Sequence, residues 1–105
     1  MHYYMPSLAV SKRGDILVGF SGSSINQNVG AYYTGTLANG TMPNSPIRYF
    51  SGIDGFDNQA RWGDFSGTVL DPDGMTFWTI QEYSEMRPPN VTGNIWGTRI
   101  GVVTP

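Results

Sequence analysis

Cysteine is absent from this 105-residue chain, so neither a disulfide framework nor a thiolate zinc site is open to it. Charge is scarce too: Asp, Glu, Lys and Arg together make up 13% of the residues, and the single lysine is Lys12. The net charge of −2 and the scatter of the six basic residues give no electrostatic case for nucleic acid or an anionic membrane. No run approaches the roughly 20 consecutive apolar residues of a membrane-spanning helix. Residues 1–6 (MHYYMP) lack the basic region and apolar stretch of a signal peptide. His2 is a lone imidazole with no serine or cysteine arrangement that needs it, which leaves a Ser-His-Asp triad unsupported.

What is abundant points one way. Fourteen glycines, seven prolines and 13% aromatics, with many Thr and Val, are the mix of an all-β protein with short strands. Turn formers bound seven predicted strands, at residues 7–10, 16–22, 29–37, 47–51, 66–70, 75–81 and 95–103. The polar stretch 23–28 reads as a loop, as does the Gly/Asp/Asn-rich stretch 52–61. Pro43 and Pro46 mark the fourth strand as an edge. No segment shows an apolar stripe at helical spacing.

The strand–turn–strand pattern of residues 66–81 echoes that of residues 7–20. Setting Gly74 on Gly14 places Val69 on Ala9, Leu70 on Val10, Phe77 on Leu17, Trp78 on Val18 and Ile80 on Phe20. A recurring hairpin predicts a chain built from repeated sheet units. The expected architecture is a partial β-propeller, with a four-stranded antiparallel blade in residues 1–60 and an incomplete three-stranded blade in 61–105. A single seven-stranded β-sandwich is the alternative that suits this length.

Three stretches, RWGDFS at 61–66, DPDGMTFWTIQEY at 71–83 and WGTRIG at 96–101, resemble sialidase-like (neuraminidase-type) β-propeller segments of large secreted bacterial proteins. Residues 6–10 with 19–24 resemble the preceding blade of the same group. The turn at Asp71, Asp73 and Gly74 is similar to the sialidase Asp-box, S-x-D-x-G-x-T-W/F. Asp71 stands where the Ser belongs, and one residue is missing between Asp73 and Gly74. Such a box pins a hairpin by accepting backbone N–H bonds and is structural.

The resemblance implies a non-catalytic structural or carbohydrate- or protein-binding module of a larger secreted bacterial protein, placed outside the cell or in its envelope. Its partners would be carbohydrate or a protein surface and the remaining blades of the parent chain, with no nucleic acid, membrane span or cofactor. The alternative is part of a sialidase-like glycoside hydrolase whose full site needs further blades. Catalysis by this chain alone is not expected, because the arginine triad, Tyr nucleophile with Glu partner and acid Asp of a sialidase are not all present.

Propeller topology sends the loop entering a blade and the loop joining its second and third strands to one face. Arg61, Trp62 and Asp64 should therefore share a face with Glu82, Tyr83, Glu85 and Arg87, and with Ser23, Ser24 and Asn26, while Asp71 and Asp73 lie opposite. Carboxylates, guanidinium groups and aromatic platforms are the ingredients of sugar recognition, so Arg61, Trp62, Asp64, Glu82, Tyr83 and Arg87 are the candidate binding residues. The competing reading makes Arg61 and Asp64 an ion pair between sheets, leaves Glu82 and Tyr83 solvated at a strand end, and packs Tyr32, Tyr33, Phe77, Trp78 and Trp96 between blades. Asp54, Asp57 and Asn58 gather oxygen ligands on a Gly-rich loop, the weak calcium candidates, without the spacing of an EF-hand.

Overall fold

A computed structural model describes residues 1–40, 46–53, 66–86 and 96–105. These residues form an all-β structure with no helix: strands β1 (His2–Val10), β2 (Ile16–Ser24), β3 (Gln27–Thr36), β4 (Ile47–Phe50), β5 (Gly67–Leu70), β6 (Phe77–Ser84) and β7 (Trp96–Val103). They build two antiparallel sheets, one of four strands in the order β1-β2-β3-β4 and one of three in the order β5-β6-β7. β4 lies at a sheet edge, as the flanking prolines require.

Four strands run further at one end than the sequence pattern indicates. β1 reaches back past Pro6 because a register break between Tyr4 and Ser7 absorbs the proline, with Met5 at φ 55. Beyond it, Tyr3 packs edge-on to Phe20 and Tyr32, at centroid distances of 5.0 and 5.4 Å. The stretch 23–28 is not a loop: Ser24 pairs with Gln27, and only Ile25 and Asn26 make the turn. β6 continues through Glu82, Tyr83 and Ser84, which pair with Thr98, Gly97 and Trp96.

The sheets pack face to face, β1 over β5, β2 over β5 and β6, and β3 over β6. Corresponding strands run in the same direction. Ser7 Oγ meets Thr68 Oγ1 at 2.8 Å, and Lys12 N donates to the Gly74 carbonyl at 2.9 Å, so both hairpin turns lie at one end. The interface is apolar near the turns, where Leu17 and Phe77 are buried. Full burial of such a side chain is worth about 1.5–3 kcal/mol. Further along it is a hydroxyl–amide cluster: Gln81 contacts Ser66, Thr79 and Ser7, and Thr68 contacts Thr79. Gly19 sits opposite, where any Cβ would collide with Thr79 and Gln81. Each polar side chain of this cluster is thereby partnered, which is the condition for leaving it dry.

The repeat holds at the turns and slips beyond them. Gly14 N donates to Ser11 O at 3.0 Å, and Gly74 N donates to Asp71 O at 2.9 Å. Both glycines take positive φ, 93° and 78°, which their lack of a Cβ permits. Val10 pairs with Ile16 across five turn residues (11–15), whereas Leu70 pairs with Phe77 across six (71–76). The extra residue corrects the strand alignment by one, so that the Ala9–Leu17 pair has Val69–Trp78 as its counterpart. Since alternate residues face opposite ways, Leu17 and Phe77 both point between the sheets rather than occupying equal positions.

The expectation that all five strand aromatics pack between blades is corrected accordingly. Phe77 and Tyr33 lie between the sheets, the latter 6.1 Å from Tyr49 by ring centroids. Trp78 and Tyr32 lie on outer faces, with Trp78 41% exposed, and Trp96 sits at 43% exposure at the start of an edge strand.

Candidate functional site

β2 and β6 run the same way, so Ser23, Ser24 and Asn26 share one end of the molecule with residues 82–86, and the turns carrying Asp71 and Asp73 occupy the other. Arg61, Trp62, Asp64 and Arg87 lie outside the described residues, as do Asp54, Asp57 and Asn58. Among the described residues, no group of three or more His, Asp or Glu side chains could hold a metal ion.

Alternation along β6 separates the two remaining candidates. Tyr83 follows Thr79 and Gln81 on the face toward the first sheet, while Glu82 is on the opposite face. The structure therefore does not bring Glu82 and Tyr83 into one site. It equally corrects the reading of both as solvated: Glu82 is 3% exposed and Tyr83 8%. The reason is that β6 is the central strand of its sheet, flanked on both sides.

Around Tyr83 the structure builds a cluster that spans both sheets. Tyr83 and Phe50 meet edge to face at 4.4 Å between centroids, and the Arg99 guanidinium lies 4.5 Å over the Phe50 ring. A Cβ on Gly97 would come within 2.9 Å of the Tyr83 ring, so glycine there lets β7 pass over the phenol. The phenol donates to Glu85 Oε2 at 2.5 Å, and Met86 N donates to Glu85 Oε1 at 2.9 Å. The two sheets are stitched together beside it, Ile53 N to Ser84 O at 2.7 Å and Ser84 Oγ to Val29 O at 3.3 Å.

Phe50 reaches this cluster through a bulge in β4. Tyr32 pairs with Arg48 and Ala31 with Phe50, so Tyr49 is left over. Tyr49 and Phe50, neighbours in sequence, consequently both reach the second sheet, and the Tyr49 hydroxyl donates to the Arg99 carbonyl at 3.0 Å. Burial pushes the Tyr49 phenol well above its ordinary range.

The hydrogen bond to Glu85, then burial, pushes the Tyr83 phenol up, and the same bond holds the Glu85 carboxyl below its usual range. A phenol donating to an ionised carboxylate is equally a rigid polar contact and a nucleophile beside a base, so these shifts do not choose between binding and chemistry. A guanidinium on an aromatic face beside a carboxylate suits hydroxyl- or carboxylate-bearing ligands. The sequence reading missed Phe50 and Arg99. Arg99 carried a signal, being the only charged residue in the predicted strand 95–103.

At the opposite end, the candidate turn is a network of local bonds. Asp73 Oδ1 accepts from Met75 N at 2.7 Å and Thr76 N at 2.9 Å, and Asp73 Oδ2 accepts from Thr76 Oγ1 at 2.8 Å. Asp71 Oδ2 accepts from Asp73 N at 3.1 Å and Asp71 Oδ1 from the Trp78 indole at 3.0 Å. The bonds from Met75 and Thr76 hold the Asp73 carboxyl below its ordinary range. Every one of these acceptors is spent on the hairpin, which makes the turn structural.

A separate crevice of about 310 Å³ opens where β3 and β4 overhang the end of β7, lined by Leu17, Tyr33, Leu37, Ile47 and Val103 among others. Its one charged residue, Asp15, accepts from Ala38 N at 2.7 Å and is 4% exposed, so it has little left to orient a polar ligand. Scans of known protein families, of curated proteins and of solved structures return no match to this chain.

Proposed function

We propose that the chain is a non-catalytic binding or structural module of the sialidase-like β-propeller kind, belonging to a larger secreted bacterial protein and engaging carbohydrate through the Phe50–Tyr83–Glu85–Arg99 cluster. One observation carries this reading: the two sheets stack with strand order and direction both preserved, turns at one end and the cluster at the other. Successive blades of a propeller are related in that way. Aromatic, guanidinium and carboxylate groups at the end away from the turns are the chemistry that sugar recognition uses.

Calorimetric titration with neutral and acidic oligosaccharides tests it. Millimolar or tighter binding is expected, weakened about tenfold by Arg99→Ala, which corresponds to one lost charge-assisted contact. Absence of binding to every oligosaccharide would remove carbohydrate as the ligand. The hydrolase alternative is supported by the Tyr83–Glu85 pair, a phenol donating to an ionised carboxylate. Release of a sugar from a sialoside, abolished by Tyr83→Phe, would reinstate it.

A further inference from the structure

On the outer faces of both sheets, the rows next to the turns are apolar, with Glu82 and Arg48 lying further along these faces. On β5–β7, Val69, Trp78 and Val102 form one cross-strand row and Ile80 and Ile100 the next, with Val69 60%, Trp78 41%, Ile100 58% and Val102 54% exposed. On β1–β4, Leu8 and Val18 form one row and Val10 and Ile16 the next, with Leu8 62%, Val10 49% and Ile16 39% exposed. Both sets lie in the half of the molecule next to the turns, and no charged residue interrupts either on its strands. Contiguous apolar surface of this kind is uncommon on a soluble monomer and marks a contact.

The internal packing says what shape of contact. Because order and direction are preserved between the sheets, superposing the first on the second carries Ala9 and Leu17 onto Val69 and Trp78, and Leu8 and Val18 onto Thr68 and Thr79. The free face of β5–β7 is thus the strand-for-strand counterpart of the face of β1–β4 that is already covered. The free face of β1–β4 is likewise the counterpart of the face of β5–β7 that is already covered. The two free faces thus repeat the strand order and direction of the internal contact, with apolar side chains (Ile80 at the place of Gly19, Val18 and Phe20 at those of Thr79 and Gln81) instead of its hydroxyl–amide cluster.

We propose that copies of this chain associate head to tail, the β5–β7 outer face of one copy stacking on the β1–β4 outer face of the next. The contact continues the internal stack outward. Each junction uses one face of each kind, so it is heterologous and does not terminate at a dimer; growth ends in a closed ring or continues as a filament. The proposal rests on sheet packing and not on the ligand reading, since the Phe50–Tyr83–Glu85–Arg99 cluster, with Arg99 exposed, is not on the outer faces; in a longer chain of the kind proposed above, further blades would take the places that second copies take here.

Sedimentation velocity over a concentration series of the 105-residue chain tests it, with Leu8→Lys and Ile100→Lys as single-face variants. The unmodified chain is expected to form species larger than a dimer that grow with concentration. Each variant alone is expected to be monomeric, because every junction needs both faces. An equimolar mixture is expected to yield a 1:1 heterodimer, joined through the intact β5–β7 face of Leu8→Lys and the intact β1–β4 face of Ile100→Lys. Heterodimer formation itself shows that both variants are folded. A monomeric parent chain, a single variant that still dimerises, or a mixture that stays monomeric would each overturn the proposal.

Discussion

The hairpins β1–β2 and β5–β6 end in turns that share a glycine at positive φ and a backbone bond closing residues 11–14 and 71–74, yet they are secured differently. The first turn depends on the rest of the molecule. Asp15 is buried, accepts from Ala38 N beyond β3, and takes a 3.3 Å contact from Arg13. The carboxylates of the second act locally: Asp73 and Asp71 spend their oxygens on residues 73–78, in solvent, and the long-range bond of this turn is the one from Lys12 N to the Gly74 carbonyl. The same backbone geometry can therefore be fixed by long-range packing or by local acceptors. The two turns differ by one residue in length, and turn length sets which side chains face inward.

The sharpest way to break the comparison is to make the turns equal. Deleting Thr76 shortens 71–76 to the length of 11–15, and would turn Phe77, Thr79 and Gln81 away from the first sheet. Loss of the cooperative urea transition is expected; a melt unchanged from the parent would show that register is not set by the turn. Next in size, Phe77→Ala removes a side chain with 0% exposure and should cost about 3–5 kcal/mol, read from the shift in urea midpoint. The matching test in the first hairpin is Asp15→Ala, which removes the buried carboxylate that accepts from Ala38 N and should cost about 1–3 kcal/mol. A smaller loss there would mean that the first turn is as local as the second.

The smallest effect is a pH dependence. Asp73 has a depressed folded-state pKa, so its contribution is fully present above the unfolded value of about 3.9 and is lost as pH falls through the folded one. In Asp73→Asn, the part of the acid-side loss of stability that arises below about pH 4 from this carboxylate should vanish. Denaturation midpoints measured across that range check it. Parallel pH curves for parent and variant would show that the Met75 and Thr76 bonds add nothing.

The strands were legible because short apolar and aromatic runs stood between Gly, Pro, Asn and Asp, and backbone pairing follows that punctuation closely. Legibility failed where pairing needed no apolar side chain. Ser23, Ser24 and Gln27 look like a loop but extend the β2–β3 hairpin. Glu82 and Tyr83 look like a solvated strand end but are buried on the central strand of a sheet. The candidate site was legible only in part. Tyr83 was found, but Phe50 reaches it through a bulge that nothing in IRYFS announces, and Arg99 arrives from a strand 16 residues further on.

By itself the sequence determined the class of structure: seven short strands, no helix, and two kindred hairpins whose glycines sit 60 residues apart at 14 and 74. Composition and turn chemistry act locally, and local preferences suffice for that. Only the tertiary structure decided which residues face which way. One added residue in a turn reverses the alternation of the strand that follows, and the sheets then interlock Gly19 against Thr79 and Gln81. That choice is made by fit between surfaces distant in the chain. It buries Phe77 and exposes Trp78, although the sequence presents them as adjacent equals.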